Sequence, residues 1–423
     1  MKKRMLKSLM WLFIIATFLL SMVVFAFATD PNVISDVNLK HQTFIEDMQF
    51  GSNVQCSSLG GIGIGNNGNE CFYALKASGY EQLGNVMQEQ YANFYYFPNL
   101  STMKTDFQNG NYGVYQLKYA GHANGMAVDS NNIYITGYVV NEARDGHTAT
   151  GSNQQNNTYN NWIIMLPISV VSQMASNGFY QNGAYIPKYN ANSGTNGYRI
   201  LYPKIKNSNG NYVRYQKEIT AITKYDTDGS FIINTEIPGI SESDAFQFVK
   251  AEIKTINGST EFVVSNNPLD YFLVENNLQQ HITTPQDICY KPACGFFIPR
   301  FYGNNNSGKT VIAWADIHDT TNYQWIAGTN ESYKMYTPTK INLNKTNYTE
   351  QSPATGQVVL KYSRFEVESI AISQDNNLYA GMDIALTSEY AGPNGNRQFD
   401  GIYKLTFGSP AKKFTLANKP PVV

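Results

Sequence analysis

A short motif recurs along this 423-residue chain: an aliphatic stretch with a small residue at its centre, a polar turn, then an aromatic-rich stretch. The first copy is Ile62-Gly63-Ile64 with Asn66-Asn67 and Phe72-Tyr73-Ala74-Leu75. Met126-Ala127-Val128, Ser130-Asn131-Asn132 and Ile133-Tyr134-Ile135 repeat it, as do Ile370-Ala371-Ile372, Asp375-Asn376-Asn377 and Leu378-Tyr379-Ala380. A looser copy runs from Thr220-Ala221-Ile222 through Asp226-Thr227-Asp228-Gly229 to Phe231-Ile232-Ile233. Each copy reads as a β-hairpin, because Asn, Asp and Gly tolerate the backbone angles of a tight turn. Hairpins repeated at this scale predict a radial or stacked architecture rather than a single sheet.

The spacing narrows that prediction. Aligned on Gly63, Ala127, Ala221 and Ala371, the copies are 64, 94 and 150 residues apart. The last interval is long enough for a diverged copy, and Cys294-Gly295-Phe296-Phe297-Ile298-Pro299 followed by Thr310-Val311-Ile312-Ala313-Trp314 falls near its midpoint. The expected fold is an all-β, five-bladed β-propeller, or a six-bladed one if the 94-residue unit hides another copy. Innermost strands of a propeller are crowded on both faces, which accounts for the small central residues. Closure is expected from pairing of Gly401-Ile402-Tyr403-Lys404-Leu405-Thr406-Phe407 with Thr43-Phe44-Ile45, which removes an exposed sheet edge. One helix is expected over 169–176, with Ser169 as its N-cap and Asn177-Gly178 as its stop.

The first 28 residues have the form of an export signal. Lys2, Lys3, Arg4 and Lys7 precede an apolar run from Leu9 to Phe25, and Ala26-Phe27-Ala28 supplies a small-x-small cleavage site. The reading is a secreted single domain over 29–423; the alternative is an N-terminal membrane anchor. Loss of the leader leaves 27 basic against 32 acidic residues, a net charge near −5. That balance argues against a nucleic-acid partner. Four cysteines in an exported chain point to disulfides, for which Cys56 with Cys71 and Cys289 with Cys294 are the local pairings. No metal site is expected, since His41, His122, His147, His281 and His318 lack ligand spacing from a cysteine pair. No cofactor motif, phosphate loop or nucleophile elbow is present. Asn/Gly/Ser-rich stretches around 145–160, 177–198 and 303–308 read as surface loops, where binding usually sits.

Candidate site residues follow from the repeat. Gly60, Asn124, Glu218 and Glu368 each stand three residues before the central small residue, at the entrance of an innermost strand. In a propeller these positions converge on one mouth of the axial channel. Asn124 with neighbouring His122, Glu218 and Glu368 are therefore the candidate ligand-binding set. The catalytic alternative uses Glu218 and Glu368 as the carboxylate pair of a glycoside hydrolase, which requires a separation of about 5 to 9.5 Å. The bland reading is that these glutamates begin strands and pair with Lys217 or Arg364.

Gly121-His122-Ala123-Asn124-Gly125-Met126, followed by Asn132-Ile133-Tyr134, resembles a Gly-His-Ala-Asn-Asp-Met region of helveticin J-like proteins. Cys294 to Pro299 with Val311 to Asp316, and Glu368-Ser369-Ile370-Ala371-Ile372 with Asn377-Leu378-Tyr379, are similar to further stretches of that family. The family comprises exported class III bacteriocins of Gram-positive bacteria. Gly125 stands where the family often has Asp. The resemblance implies a secreted propeller with antibacterial or cell-wall binding activity, a bacterial surface or wall glycan as partner, and no catalytic residues to carry over.

Overall fold

The structure is a computed structural model. It describes residues 33–38, 43–45, 58–65, 68–77, 91–120, 123, 125–137, 162–178, 184–215, 219–225, 229–235, 245–266, 272–275, 287–291, 295–302, 309–315, 323–327, 332–336, 339–344, 350–351, 358–359, 362–375, 377–386, 401–404 and 406–407. Over these residues the chain is mostly β-sheet, with few and short helices.

The first strands, β1 (Val33–Asn38) and β2 (Thr43–Ile45), pair with strands far along the chain. β3 (Ser58–Ile64), β4 (Glu70–Ala77), β5 (Tyr91–Phe97) and β6 (Gly113–Lys118) form an antiparallel sheet in chain order, with helix α1 (Met103–Asn109) before its last strand. β7 (Met126–Val128), β8 (Asn132–Gly137), β9 (Trp162–Pro167) and β10 (Arg199–Leu201) repeat the arrangement, with helix α2 (Ile168–Ser176) after β9. A hairpin of β11 (Lys204–Lys206) and β12 (Tyr212–Arg214) precedes the third antiparallel run, β13 (Ile219–Lys224), β14 (Ser230–Thr235), β15 (Ala245–Ile256) and β16 (Ser259–Val264). β11 lies parallel to β16, and β17 (Phe272–Glu275) pairs with the opposite end of the long β15.

The fourth run begins with β18 (Cys289–Lys291), β19 (Gly295–Tyr302) and β20 (Lys309–Ala315). Its next strand comes after the hairpin β21 (Tyr323–Ala327) and β22 (Ser332–Tyr336), which attaches to β17; that strand is β23 (Thr339–Asn344). The short pair β24 (Glu350–Gln351) and β25 (Val358–Val359) leads to β26 (Tyr362–Ile372), β27 (Leu378–Leu386) and β28 (Gly401–Lys404). β2 supplies the fourth strand of this last sheet, with Thr43 opposite Tyr403, so the pairing expected between the two ends of the chain is present. β29 (Thr406–Phe407) pairs with β1, which lies parallel to β23.

Burial explains why the strands read as continuous apolar runs rather than alternating ones. Successive side chains of a strand point to opposite faces, and here both faces are covered. Tyr73 and Leu75 of β4 join a core with Ile133, Ile135, Ile164 and Leu166 of the second sheet, sealed by Val170 and Val171 of α2. Their neighbours Phe72 and Ala74 point the other way, into a core with Ala371, Tyr379 and Ile402 of the last sheet. Tyr134, Ile163 and Met165 likewise leave the first core and pack on Phe231, Ile233, Val249 and Phe262 of the third. The first and second sheets are thus each packed face to face between two others.

The first strands of the five runs touch in sequence, β3 on β7, β7 on β13, β13 on β18 and β18 on β26, and β26 returns to β3. The contacts are close. A Cβ on Gly63 would lie 2.4 Å from Val128 Cγ1, and one on Gly61 would lie 2.8 Å from Met126 Sδ. A Cβ on Gly125 would lie 2.7 Å from the Ile222 backbone nitrogen. Small residues at these positions are required by the approach of the neighbouring strand, not by the hairpin turn.

Several sequence expectations need adjustment. The fourth run starts at Cys289–Lys291, one strand upstream of the segment read as its beginning, and Gly295–Tyr302 is its second strand. Counting back from the last paired residue of each hairpin (Ile64, Val128, Lys224, Ile372), Thr223 matches Gly63, Ala127 and Ala371. The looser copy is therefore centred on Thr223 rather than on Ala221, and Thr220, not Glu218, occupies the position equivalent to Glu368. The expected helix is present as Ile168–Ser176, but its N-cap is Pro167 without a side-chain bond, so Ser169 lies in the first turn. α1 was unforeseen. Its signal was Asn99, whose side chain accepts the Ser101 N–H at 2.9 Å and starts the 3-10 turn that leads into the helix.

Gly63→Ala should destabilise the protein by about 1–3 kcal/mol, because the added methyl overpacks the contact with Val128. Urea unfolding should show the midpoint falling with the slope unchanged, and Val128→Ala in the same chain should restore part of the loss. Equal midpoints for Gly63→Ala and the parent would show that β3 and β7 do not meet as described.

Candidate functional site

The ends of the five first strands open on one cavity of about 580 Å³. Its wall is apolar where the strands run side by side, at Ile62, Met126, Val128, Ile288 and Ile372. Polar groups collect where the strands turn outward: Glu70, Asp129, Lys224, Tyr290, Lys291 and Gln374. The geometry follows from the repeat. Each hairpin turn lies at the same end of its sheet, so turn residues that are remote in sequence become neighbours.

Hydrogen bonds and a ring contact tie these turns together. Glu70 Oε1 accepts the Gln374 backbone N–H at 2.6 Å, joining the first sheet to the last. Lys291 Nζ donates to the carbonyls of Ser373 at 3.0 Å and Gln374 at 3.1 Å, joining the fourth to the last. Thr223 Oγ1 accepts the Tyr290 N–H at 2.9 Å, and the Tyr225 and Tyr290 rings lie 4.9 Å apart, joining the third to the fourth. Asp129 is held within its own turn, accepting the N–H groups of Asn131 and Asn132 at 2.7 Å and the Tyr134 hydroxyl at 2.9 Å. Burial pushes the Glu70 carboxyl up, with Asp375 adding to the shift and the Gln374 N–H and Lys291 opposing it. Burial, with Glu70 and Asp375 nearby, raises the Tyr379 hydroxyl to about 12.

Behind the cavity floor lies a carboxylate that the repeat pattern did not single out. Asp287 is fully buried, and its Oδ2 accepts the Ile370 N–H at 3.1 Å. Its Oδ1 makes no bond of regular geometry, yet the backbone N–H groups of Ile288 and Met126 lie near enough to favour the charged form. Burial outweighs all three and raises the carboxyl well above the ordinary range. One side chain thereby touches the second, fourth and fifth runs at the point where they meet. The sequence signal was slight: an Asp directly before the Ile288-Cys289 start of an inner strand.

The expected site residues are only partly placed. His122, Asn124 and Glu218 lie outside the described residues. Glu368 is 4% exposed, lies within β26 two residues before Ile370, the first residue of that strand to line the cavity, and is not itself among the lining residues. The cavity opens at the exits of the inner strands, whereas the expected residues were chosen at their entrances. Cys71 and Cys289 are free thiols, and their expected partners Cys56 and Cys294 lie outside the described residues. Cys71 is buried and its Sγ donates to Pro98 O at 3.3 Å. Among the described residues no cluster of three or more His, Cys, Asp or Glu side chains could hold a metal ion. Among them, too, no helix is long and apolar enough to cross a membrane.

No family model matches the chain, and no curated protein matches it. Among solved structures it is similar to Trypanosoma rangeli sialidase in complex with the inhibitor DANA, at 10% identity and a TM-score of 0.30. The match covers 88% of this chain and spans 59% of the length of that one.

Asp287 makes stability depend on pH in a stated direction. Its folded-state pKa lies above the unfolded value of about 3.9, so the native state keeps the proton longer. Stability is full below the unfolded value and falls as pH rises towards the folded one, by at most about 1.4 kcal/mol per pH unit. Asp287→Asn removes that titration, so its stability deficit against the parent should shrink steadily from pH 4 to pH 8. Asp287→Ala should cost about 1–3 kcal/mol at pH 5 by orphaning the Ile370 N–H. Chemical unfolding across that range reads both, and a deficit for Asp287→Asn that does not change with pH contradicts the assignment.

Proposed function

We propose that the chain is an exported five-bladed β-propeller that binds a bacterial cell-surface glycan at the cavity where its innermost strands end. Five antiparallel four-stranded runs, the return contact of β26 on β3, and the pairing of β2 with β28 support the five-bladed reading. The export signal over 1–28 and the resemblance to helveticin J-like proteins support secretion and an antibacterial or wall-binding role.

The observation that carries the binding reading is the amphipathic lining of the cavity. The paired rings of Tyr225 and Tyr290 offer an aromatic face, and Glu70, Lys291 and Gln374 set hydrogen-bonding groups at its rim. A sugar ring has the same division, with C–H faces and a hydroxyl edge, and concave sites of this size suit small ligands. Binding is favoured over the hydrolase alternative because Glu368, one of its two carboxylates, is buried away from the cavity lining.

Purified protein should be retained by Gram-positive cell walls without releasing sugar from them, and should inhibit a related indicator strain. Tyr290→Ala should weaken retention about five- to tenfold, the loss of ~1–1.5 kcal/mol of ring contact, while the fold survives. Release of reducing sugar that is lost on Glu368→Gln would favour the hydrolase instead. Absence of wall retention would end the binding reading, and failure to inhibit any strain of a broad panel would end the bacteriocin one.

A further inference from the structure

Away from the cavity, one stretch of the chain has a charge pattern unlike the rest. From Gly146 to Lys217, 72 residues, there is no Asp or Glu, while Lys188, Arg199, Lys204, Lys206, Arg214 and Lys217 are basic. The described part of this stretch holds β9 and α2. Its basic residues lie beyond them, on the segment before β10, on β10 itself and on the hairpin β11–β12, where Lys204 pairs with Glu261 at 2.7 Å. It also seats residues 184–186 against β6, where Gln116 N donates to Ala184 O at 2.7 Å and Ile186 N donates to Gln116 O at 2.8 Å. Cations and tyrosines alternate along it. The Arg199 guanidinium lies 3.7 Å from the centre of the Tyr189 ring, and that of Arg214 lies 4.2 Å from Tyr202. Lys118 stands over Tyr185 at 5.3 Å, and Lys188 over Tyr119 at 4.9 Å. The strip is on the surface: Tyr185 is 52% exposed, Tyr202 47% and Tyr189 39%.

We propose that this strip is a docking surface for an anionic glycan chain, one whose sugar or polyol units carry spaced carboxylate or phosphate groups. Three features of the strip select that chemistry. The Arg199 guanidinium, stacked on Tyr189, offers its N–H edge for paired hydrogen bonds to carboxylate or phosphate, and the stacking holds it in place before the ligand arrives. Exposed tyrosine faces between the cations match the C–H faces of sugar units between charges. The charge is sparse and confined to one strip of a chain whose balance elsewhere is acidic, which suits a polymer of moderate charge density better than a nucleic acid. The backbone hydrogen bonds to β6, and those closing the turn between Asn190 and Thr195, hold the segment in a fixed shape, so little ordering cost remains on binding.

The test is affinity electrophoresis of the full chain against four polymers at low salt: hyaluronan, poly(glycerol phosphate), neutral dextran and poly(U). Retention by hyaluronan, by poly(glycerol phosphate) or by both is expected, and which of them retards the protein identifies carboxylate or phosphate as the preferred anion. Neutral dextran should not retard it, and added salt should release it. Arg199→Ala with Arg214→Ala should weaken retention at least tenfold, and Arg199→Lys with Arg214→Lys should fall between, because the charge stays but the planar fork is lost. Both pairs lie at the surface, and an unchanged melting temperature certifies their fold. Tyr290→Ala, in the cavity, should leave retention intact, which separates this surface from the cavity reading. The inference is overturned if neither anionic polymer retains the protein, if the arginine variants are retained like the parent, if Tyr290→Ala abolishes retention, or if poly(U) is held more tightly than both glycans.

Discussion

The structure depends on how closely five short strands can approach one another. Where β3 meets β7 there is no room for a Cβ at Gly61 or Gly63, and where β7 meets β13 there is none at Gly125. Small residues at these points let neighbouring sheets pack face to face, and that packing buries both faces of the first and second sheets in separate cores. Among the described residues, hydrophobic burial in these three cores between neighbouring sheets is then what holds the chain together. The fully buried Asp287 stands at the same convergence, accepting the Ile370 N–H with the backbone N–H groups of Ile288 and Met126 close by.

The cavity is a consequence of that approach rather than an addition to it. Strands packed through small residues leave space once they splay apart, and the turns that follow them carry the polar side chains. Glu70 and Lys291 hold the rim by bonding across sheet boundaries to the backbone of Ser373 and Gln374, so this part of the site is built from contacts between repeats. The cationic tyrosine strip has a different origin. It sits on the outer strands and their connections, where the repeat imposes no pattern and composition can change freely.

The parts of this organisation that could be read from sequence are those set by local rules. The Gly63, Ala127 and Ala371 hairpins were legible because turn residues and small-residue positions recur, and so was the pairing of the 43–45 segment with the last sheet. The β13 hairpin was displaced by two residues because its central position is Thr223, a β-branched residue whose hydroxyl is needed by Tyr290 N–H. The fourth inner strand was missed because Cys289–Lys291 is three residues long and lacks the aliphatic signature. The rim residues were missed for a further reason. Glu70 and Lys291 belong to different units, and only the convergence of the strand ends on one cavity brings them together. Asp287 carries no local mark of its role, since its partners are backbone groups.

The claim on which all of this rests is that the chain returns on itself, with β2, near its N-terminus, completing the last sheet. Cysteines placed at Thr43 and Tyr403, which stand opposite each other in the pairing of β2 with β28, test it directly. Facing residues in antiparallel strands lie within the ~4.4–6.8 Å reach of a disulfide. Mild oxidation should link them within one chain, giving a cross-linked peptide pair after proteolysis and a higher melting temperature. Full oxidation that leaves both thiols unlinked to each other would contradict the account.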